Sequence, residues 1–335
     1  MKVGINGFGR IGRQVLRLSL ASRKNIECVA INDLSPIETL AHLLKYDSVH
    51  GTYEGSVKVS KNELILGERK ISVFAEPSPE KIPWKKEKVD IVFECTGRFT
   101  SRDKAALHLE GGAKKVLVSA PCKNDDLTVV MGINENQYDA ARHQIVSNAS
   151  CTTNCLGVMT KVLRDHLQVK RAFMTTIHSY TNDQRVLDLA HKDLRRARAA
   201  GLSMIPTSSG ATDALLKIFP ELKGKFEGVS IRVPTPNVSL VDLVAEVKKT
   251  TSVAEVNQFF EKESQGTLKK YLGYCAEPLV SSDFVGDERS AILDALSTQV
   301  VDGTLVKVVG WYDNEIGFSA RMLDLAEYIH AHSMD

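Results

Sequence analysis

The sequence predicts an α/β protein of two domains: a parallel-sheet domain over residues 1–150, then an α+β domain with a mixed or antiparallel sheet over 151–313. Three observations carry this. Short apolar runs at 2–6, 26–32, 89–94, 115–119 and 144–147 alternate with helical patterns, as strands of a parallel sheet do when helices connect them. Beyond Ser150 the runs lengthen and that alternation stops. The chain of 335 residues also exceeds the size at which a single hydrophobic core usually stops growing.

Taken in order, the first strand (2–6) runs into Gly7, Gly9 and Gly12 in the spacing G-x-G-x-x-G and then into a helical pattern over 13–19. Glycine suits each place for a backbone reason. The first makes a tight turn, the second lets the main chain approach a pyrophosphate, and the third allows close helix packing with the helix N-terminus facing the anion. The second strand ends in Asn32 and Asp33, about 20 residues on, where a carboxylate can bind ribose hydroxyls. That context makes the first domain Rossmann-type. A carboxylate at Asp33 would repel a 2′-phosphate, so the expected cofactor is NAD rather than NADP.

After Ser150, Leu156, Met159, Leu163 and Leu167 fall at helical spacings. Segments 173–177, 228–233, 240–247 and 305–311 read as longer strands, and 253–264 as a helix. Phe318, Met322, Leu325 and Ile329 form one helical stripe near the end of the chain. Residues 179–201 are polar, Arg-rich and without clear periodicity; a long irregular loop in a compact protein usually serves function.

Composition narrows the function classes. Hydrophobic residues at 43% and charged ones at 25% fit a folded globular chain. No window approaches the roughly 20 apolar residues of a membrane span, and the first 12 residues lack a signal-peptide pattern, so a cytoplasmic protein is expected. The net charge is +2, and the one dense basic run, Arg195, Arg196 and Arg198 beside Lys192, is too small for a nucleic-acid partner. Six cysteines in a long chain predict reduced thiols. No plausible metal ligand set is present; His330 and His332 are a short pair near the terminus.

Cys151 lies where a strand ends and a helix begins, so its sulfur is expected beside unpaired backbone N–H groups that lower a thiol pKa. A thiolate there can attack an aldehyde, the developing oxyanion being stabilised by the Cys151 backbone N–H and a nearby imidazole. The candidate imidazole is His178, which follows the strand at 173–177; sequence alone does not establish the contact. A lone Cys and a lone His are more often structural. Cys155, one turn on from Cys151, reads as packing.

The strings INGFGRIGR at 5–13, KYDS at 45–48, SNASCTTNC at 147–155, YTNDQ at 180–184, HKDLRRARAA at 191–200, RVP at 232–234 and WYDNE at 311–315 resemble the glyceraldehyde-3-phosphate dehydrogenases essentially end to end. The resemblance implies that Cys151 is the nucleophile and His178 the base. It places the substrate phosphate at Thr181 and Arg232 and inorganic phosphate at Ser150, Thr152, Ser209 and Gly210, with Arg196 near both. It also implies that Asn6, Gly7, Gly9, Arg10, Ile11 and Asp33 hold NAD, that Thr96, Gly97 and Ser119 line its groove, and that Asn314 fixes the nicotinamide amide. Family members are homotetramers, which would put the 179–201 loop at a subunit interface and return the final helix, 314–335, to the first domain.

The chain departs from the family pattern at several places. Pro77, Ser78 and Pro79 stand where Arg before Asp-Pro is common, Ala190 where NAD-specific members usually have proline, and Ser209 where threonine is usual. Asp213, Ile316 and Phe318 also differ from the common residues. The nearest alternative is the sister erythrose-4-phosphate dehydrogenases, which release their product by hydrolysis; retention of the inorganic-phosphate residues argues against it. A non-catalytic protein holding RNA or a partner on the Arg-rich loop is disfavoured by intact Cys151 and His178.

Overall fold

A computed structural model describes residues 1–23 and 25–333. The chain forms two compact units, residues 1–129 with 134–149 and 319–335, and residues 130–133 with 150–318.

The first unit opens with β1 (Lys2–Asn6), α1 (Arg10–Ser22), β2 (Glu27–Asn32) and α2 (Ile37–Lys45). A two-stranded ladder follows, β3 (Tyr46–Asp47) with β4 (Gly51–Thr52), then an antiparallel meander of β5 (Lys58–Ser60), β6 (Glu63–Leu66) and β7 (Arg69–Phe74). The rest comprises β8 (Ile91–Glu94), α3 (Arg102–Glu110), β9 (Lys115–Val118), β10 (Leu127–Thr128) and β11 (Ile145–Ser147). One sheet runs in the order β10-β11-β9-β8-β1-β2-β7-β6-β5, parallel from β10 to β7. The chain winds outward from β1 in both directions, which makes the carboxyl end of β1 the switch point where open α/β sheets leave a crevice. β1 and β8 are buried along almost their whole length, as a strand covered on both faces must be.

The second unit comprises α4 (Cys151–Leu167), β12 (Val169–Ser179), β13 (Ile205–Ser208), α5 (Ala211–Ile218), β14 (Phe226–Val233) and β15 (Ser239–Val247). α6 (Val253–Gln265), β16 (Leu272–Cys275), β17 (Ala291–Val301) and β18 (Leu305–Tyr312) follow. The sheet is mixed, in the order β13-β14-β12-β15-β18-β17-β16; β12 runs parallel to β14 and antiparallel to β15. Strict alternation of burial along β15 gives it one covered and one half-buried face. α4 packs on the covered face close enough that a Cβ on Gly310 of β18 would collide with the Met159 sulfur. α6 begins with a capping box of Ser252 and Glu255, which satisfies two N-terminal groups reciprocally.

The final helix, α7 (Ile316–Ala331), joins the first unit from Ser319 onward. Its Asp324 accepts a hydrogen bond from Arg23 at 3.3 Å. The anticipated stripe of Phe318, Met322, Leu325 and Ile329 is buried, but Ser319, Arg321 and Asp324 are buried too, so the helix is not amphipathic. The last two residues of the expected 314–335 helix lie outside the described residues.

Candidate active site

The glycine motif of the first unit forms the turn that opens α1. Gly7 has φ +90°, and a Cβ there would lie 2.7 Å from the Thr96 nitrogen, so both conformation and space demand glycine. A Cβ on Gly12 would strike the Gly7 carbonyl oxygen, whereas one on Gly9 would meet no protein atom within 4 Å. Gly9 therefore faces open space. α1 starts there with no side-chain cap and no acidic residue in its first turn, which leaves its N–H groups for an anionic ligand.

Beside the turn lies a cleft of about 330 Å³, lined in part by Asn6, Gly7, Gly9, Asp33, Pro77 and Thr96. Asp33 is set by two backbone donors: Phe8 N to its Oδ2 at 2.8 Å and Ser35 N to its Oδ1 at 2.9 Å. Arg10, Ile11, Gly97 and Ser119 fall outside the lining of that cleft. The Arg10 guanidinium engages Asp47 through two bonds, at 2.6 and 3.1 Å, so its polar contribution at the turn is its backbone N–H. Burial opposes ionisation of Asp47, but N–H donors from His50 and Val49 together with Arg10 bring its carboxyl down to about 2. This explains the sequence KYDS: its aspartate anchors the first turn of α1.

A buried polar chain behind the cleft went unnoticed in the sequence. Asn6 Nδ2 donates to Glu94 Oε2 at 2.6 Å, and Asn32 Nδ2 donates to Asn6 Oδ1 at 2.8 Å. Glu94 Oε1 accepts from the Thr96 N–H at 2.8 Å and from its hydroxyl. From behind, Trp84 Nε1 donates to His108 Nδ1 at 3.0 Å. An indole can only donate, so that ring nitrogen is bare and the His108 proton sits on Nε2, which donates to Glu94 Oε2 at 3.0 Å. The one available signal was a carboxylate closing the apolar run of β8.

In the second unit the catalytic candidates meet. Ala149, at φ +55°, turns the chain so that Ser150 caps α4, its Oγ accepting from Thr153 N at 3.0 Å, and Cys151 heads the helix. The parallel register of β12 with β14 pairs His178 with Arg232, which sends both side chains to one face of the sheet. His178 Nε2 lies 3.5 Å from Cys151 Sγ. On the other side of the ring, Nδ1 is 2.7 Å from Ser179 O and 2.7 Å from Arg232 Nη1, which is itself 3.1 Å from Ser179 O.

Electrostatics here differ from the anticipated low-pKa thiol. Burial pushes the Cys151 thiol up, and Arg232 with the N–H and hydroxyl of Thr152 pull it back only in part. Burial, and after it the Arg232 charge, bring His178 down to about 3. Burial thus opposes the charge on each group, and the imidazole stands where it can take the thiol proton as the sulfur attacks.

The hydroxyls and cations named from sequence have the following partners in the second unit. Thr152 Oγ1 meets the Tyr312 hydroxyl at 2.9 Å, and Tyr312 meets Thr176 Oγ1 at 2.9 Å. Thr176 and Tyr312 are further members that sequence reasoning missed. Thr181 bonds Gln184 Oε1, and Ser209 Oγ accepts from Ala211 N at 3.2 Å beside Gly210, the N-cap of α5. Arg196 donates to Thr207 Oγ1 at 2.8 Å and to Asp183 at 2.5 Å, so an anion must compete with Asp183 for it. Asn314, in the second unit, accepts from Ser239 Oγ at 2.9 Å.

Comparison with known proteins decides the family. A family model for the glyceraldehyde 3-phosphate dehydrogenase NAD-binding domain matches residues 1–102, and one for the C-terminal domain of the same family matches 150–314. The chain is 58% identical to the glyceraldehyde-3-phosphate dehydrogenase of Geobacillus stearothermophilus, over 98% of each chain. The chain belongs to the glyceraldehyde-3-phosphate dehydrogenase family. It is also 56% identical to the enzyme of that name from Priestia megaterium, over 99% of this chain and 98% of the relative, and to glyceraldehyde-3-phosphate dehydrogenase 1 of Bacillus subtilis, over 98% of each. Within this family of NAD-dependent oxidoreductases, the Pro77 departure falls in the lining of the glycine-turn cleft.

Proposed function

We propose that the chain oxidises D-glyceraldehyde 3-phosphate to 1,3-bisphosphoglycerate, using NAD and inorganic phosphate. The observation that supports this most directly is the Cys151 sulfur 3.5 Å from His178 Nε2 at the head of α4. His178 takes the thiol proton at Nε2 as the sulfur adds to the aldehyde carbon, forming a hemithioacetal on Cys151. Base catalysis of this kind is worth roughly 10² to 10⁴ in rate. The Cys151 backbone N–H and the protonated imidazole stabilise the oxyanion. Bound NAD would supply the hydride acceptor for the hemithioacetal carbon, which would leave a thioester on Cys151. Inorganic phosphate attacks the thioester carbon and releases the acyl phosphate, with the Cys151 sulfur as the leaving group.

The first-unit cleft fits NAD: Gly9 leaves room for the pyrophosphate, the uncapped start of α1 offers N–H groups from Arg10 and Ile11, and the fixed Asp33 suits ribose hydroxyls. Asn6, Gly7, Thr96, Gly97 and Ser119 shape that groove, and Asn314 holds the nicotinamide amide. Thr181 and Arg232 take the substrate phosphate, with Ser150, Thr152, Ser209 and Gly210 for inorganic phosphate and Arg196 serving both. Residues 1–150 with the last helix form the NAD-binding domain, and 151–313 the catalytic domain. The protein acts in the cytoplasm as a homotetramer. Exposed apolar side chains of the irregular loop, Val186, Leu187, Leu189 and Leu194, support an interface there.

Steady-state NADH formation tests the reading. Turnover with glyceraldehyde 3-phosphate and NAD should require inorganic phosphate; turnover indifferent to phosphate would indicate hydrolytic release, and faster turnover with NADP would remove the role given to Asp33.

A further inference from the structure

Asn314 sits on a turn of the second unit whose backbone is pinned by one carboxylate. Asp313 Oδ1 accepts from the N–H groups of Glu315 and Ile316 at 2.9 and 2.8 Å, and its Oδ2 from Asn237 Nδ2 and the Gly286 N–H at 2.9 and 2.8 Å. With the backbone held, the freedom left to Asn314 is at its side chain, where oxygen and nitrogen can exchange places. Ser239 removes it. A backbone N–H only donates, so the Ser179 N–H, 3.1 Å away, occupies a lone pair of Ser239 Oγ. Among the described residues the hydroxyl's own proton has one acceptor, Asn314 Oδ1 at 2.9 Å. Exchanging the two amide atoms would set Nδ2 against that hydroxyl and strand its proton inside the protein, because Ser239 is 1% exposed. Asn314 is itself buried, and among the described residues nothing accepts from its Nδ2. The network occupies Oδ1 within the protein and leaves Nδ2 for a ligand.

Backbone strain accompanies this placement. Val238, just before Ser239, holds φ +63°, which β-branched residues rarely adopt. Such a residue persists only where its surroundings over-determine it, and here they do. Its carbonyl accepts from Ser179 Oγ at 2.9 Å, and its side chain is buried with Phe284 and Ile292.

We propose that Ser239 is a positioning residue for the cofactor: its hydroxyl holds the Asn314 amide with Nδ2 available, so the nicotinamide carboxamide is recognised at its carbonyl oxygen and not at its amino group. This deepens the reading of Asn314 as the residue that holds the nicotinamide amide, and rests on it. A free carboxamide can turn by half a revolution, which exchanges an acceptor for a donor; a fixed donor at Asn314 selects one of the two faces. The same hydroxyl carries the Ser179 N–H, and Ser179 O lies 2.7 Å from His178 Nδ1. One group thus aligns the neighbour of the base with the residue that holds the nicotinamide.

The test measures binding by calorimetry on the whole cofactor-free enzyme with two probes, NAD and ADP-ribose, the second lacking the nicotinamide ring. Ser239→Ala should weaken NAD about tenfold, the effect of one hydrogen bond to the amide, and leave ADP-ribose unchanged. Asn314→Ala should do the same, and the double variant should bind no more weakly than Asn314→Ala alone, because Ser239 acts through Asn314. Ser239→Thr, which keeps the hydroxyl, should retain NAD affinity. A serine with a merely structural role would weaken both probes, or add its effect to that of Asn314→Ala; either result overturns the proposal. An NAD to ADP-ribose ratio unchanged in Asn314→Ala refutes the reading beneath it, whereas a ratio changed by Asn314→Ala but not by Ser239→Ala refutes the role of Ser239 alone. The parent enzyme supplies a check that needs no variant. An NAD analogue with an acetyl group in place of the carboxamide keeps the carbonyl oxygen and lacks the amino group, and should bind within about twofold of NAD. Binding about tenfold weaker than NAD would overturn the orientation assigned to Asn314.

Discussion

Cys151 and His178 stand on chemistry that single substitutions can separate. Cys151→Ser should abolish NADH formation, because a serine hydroxyl in the same half-buried place is a far weaker nucleophile than a thiol that His178 can deprotonate. His178→Asn should cut turnover by about 10² to 10⁴ while leaving substrate binding largely intact. The pH dependence has a definite sign. Burial raises the Cys151 thiol and Arg232 opposes that, so Arg232→Ala should move the midpoint of Cys151 alkylation by iodoacetamide to higher pH; a midpoint unchanged or lowered would contradict the electrostatic account. Behind the cofactor cleft, His108→Leu leaves Glu94 short of a donor, a loss of about 1–3 kcal/mol. The NAD KM should rise about tenfold, with kcat at saturating NAD held, if Glu94 sets Asn6 and Thr96 as described. Asp33 and Cys151 were legible in the sequence because each sits at a fixed offset from a strand end. Glu94, His108 and Trp84 were not, since no local spacing brings an indole, an imidazole and a carboxylate from three segments to one buried line.

At the level of elements, the start of α4 is the most exacting. Ser150→Ala removes the hydroxyl that caps Thr153 N, and should cost about 0.5–2 kcal/mol in urea unfolding. Gly12→Ala places a methyl against the Gly7 carbonyl; it should abolish NAD binding measured by calorimetry while the second unit's thiol remains alkylatable. The strands that precede α1 and α4 could be read from apolar runs, and so could α6, whose capping box stands in plain sequence at Ser252 and Glu255. The meander of β5, β6 and β7 escaped because its strands are short and largely polar on the outside. α7 was read by its apolar stripe alone. Its Arg321 and Asp324, which a periodicity argument assigns to water, form a buried ion pair at 2.5 Å. The pairing of His178 with Arg232 is a matter of register between β12 and β14, 54 positions apart, and only the folded sheet supplies it.

For the whole molecule, two compact units divide the work by chemistry: a glycine turn with a fixed carboxylate in one, a cysteine with its base in the other. The irregular segment at 179–201 was singled out by its lack of periodicity, and its side chains include Val186 at 88% and Leu194 at 81% exposure. Isolated exposed leucines are ordinary, but several in one loop mark a contact surface. If the proposed homotetramer holds, sedimentation should show an assembly of four 36.9 kDa chains, and Leu194→Asp should shift it toward smaller species; a parent protein that sediments as a single chain would refute the assembly. The cysteine-borne thioester is the claim on which the rest depends, and a rapid-mixing experiment without inorganic phosphate reaches it most directly. Enzyme, NAD and glyceraldehyde 3-phosphate should give a burst of one NADH per chain and then stop, with intact-protein mass spectrometry showing one acyl group, held on Cys151. Continued NADH formation with no acyl group on Cys151 would contradict it.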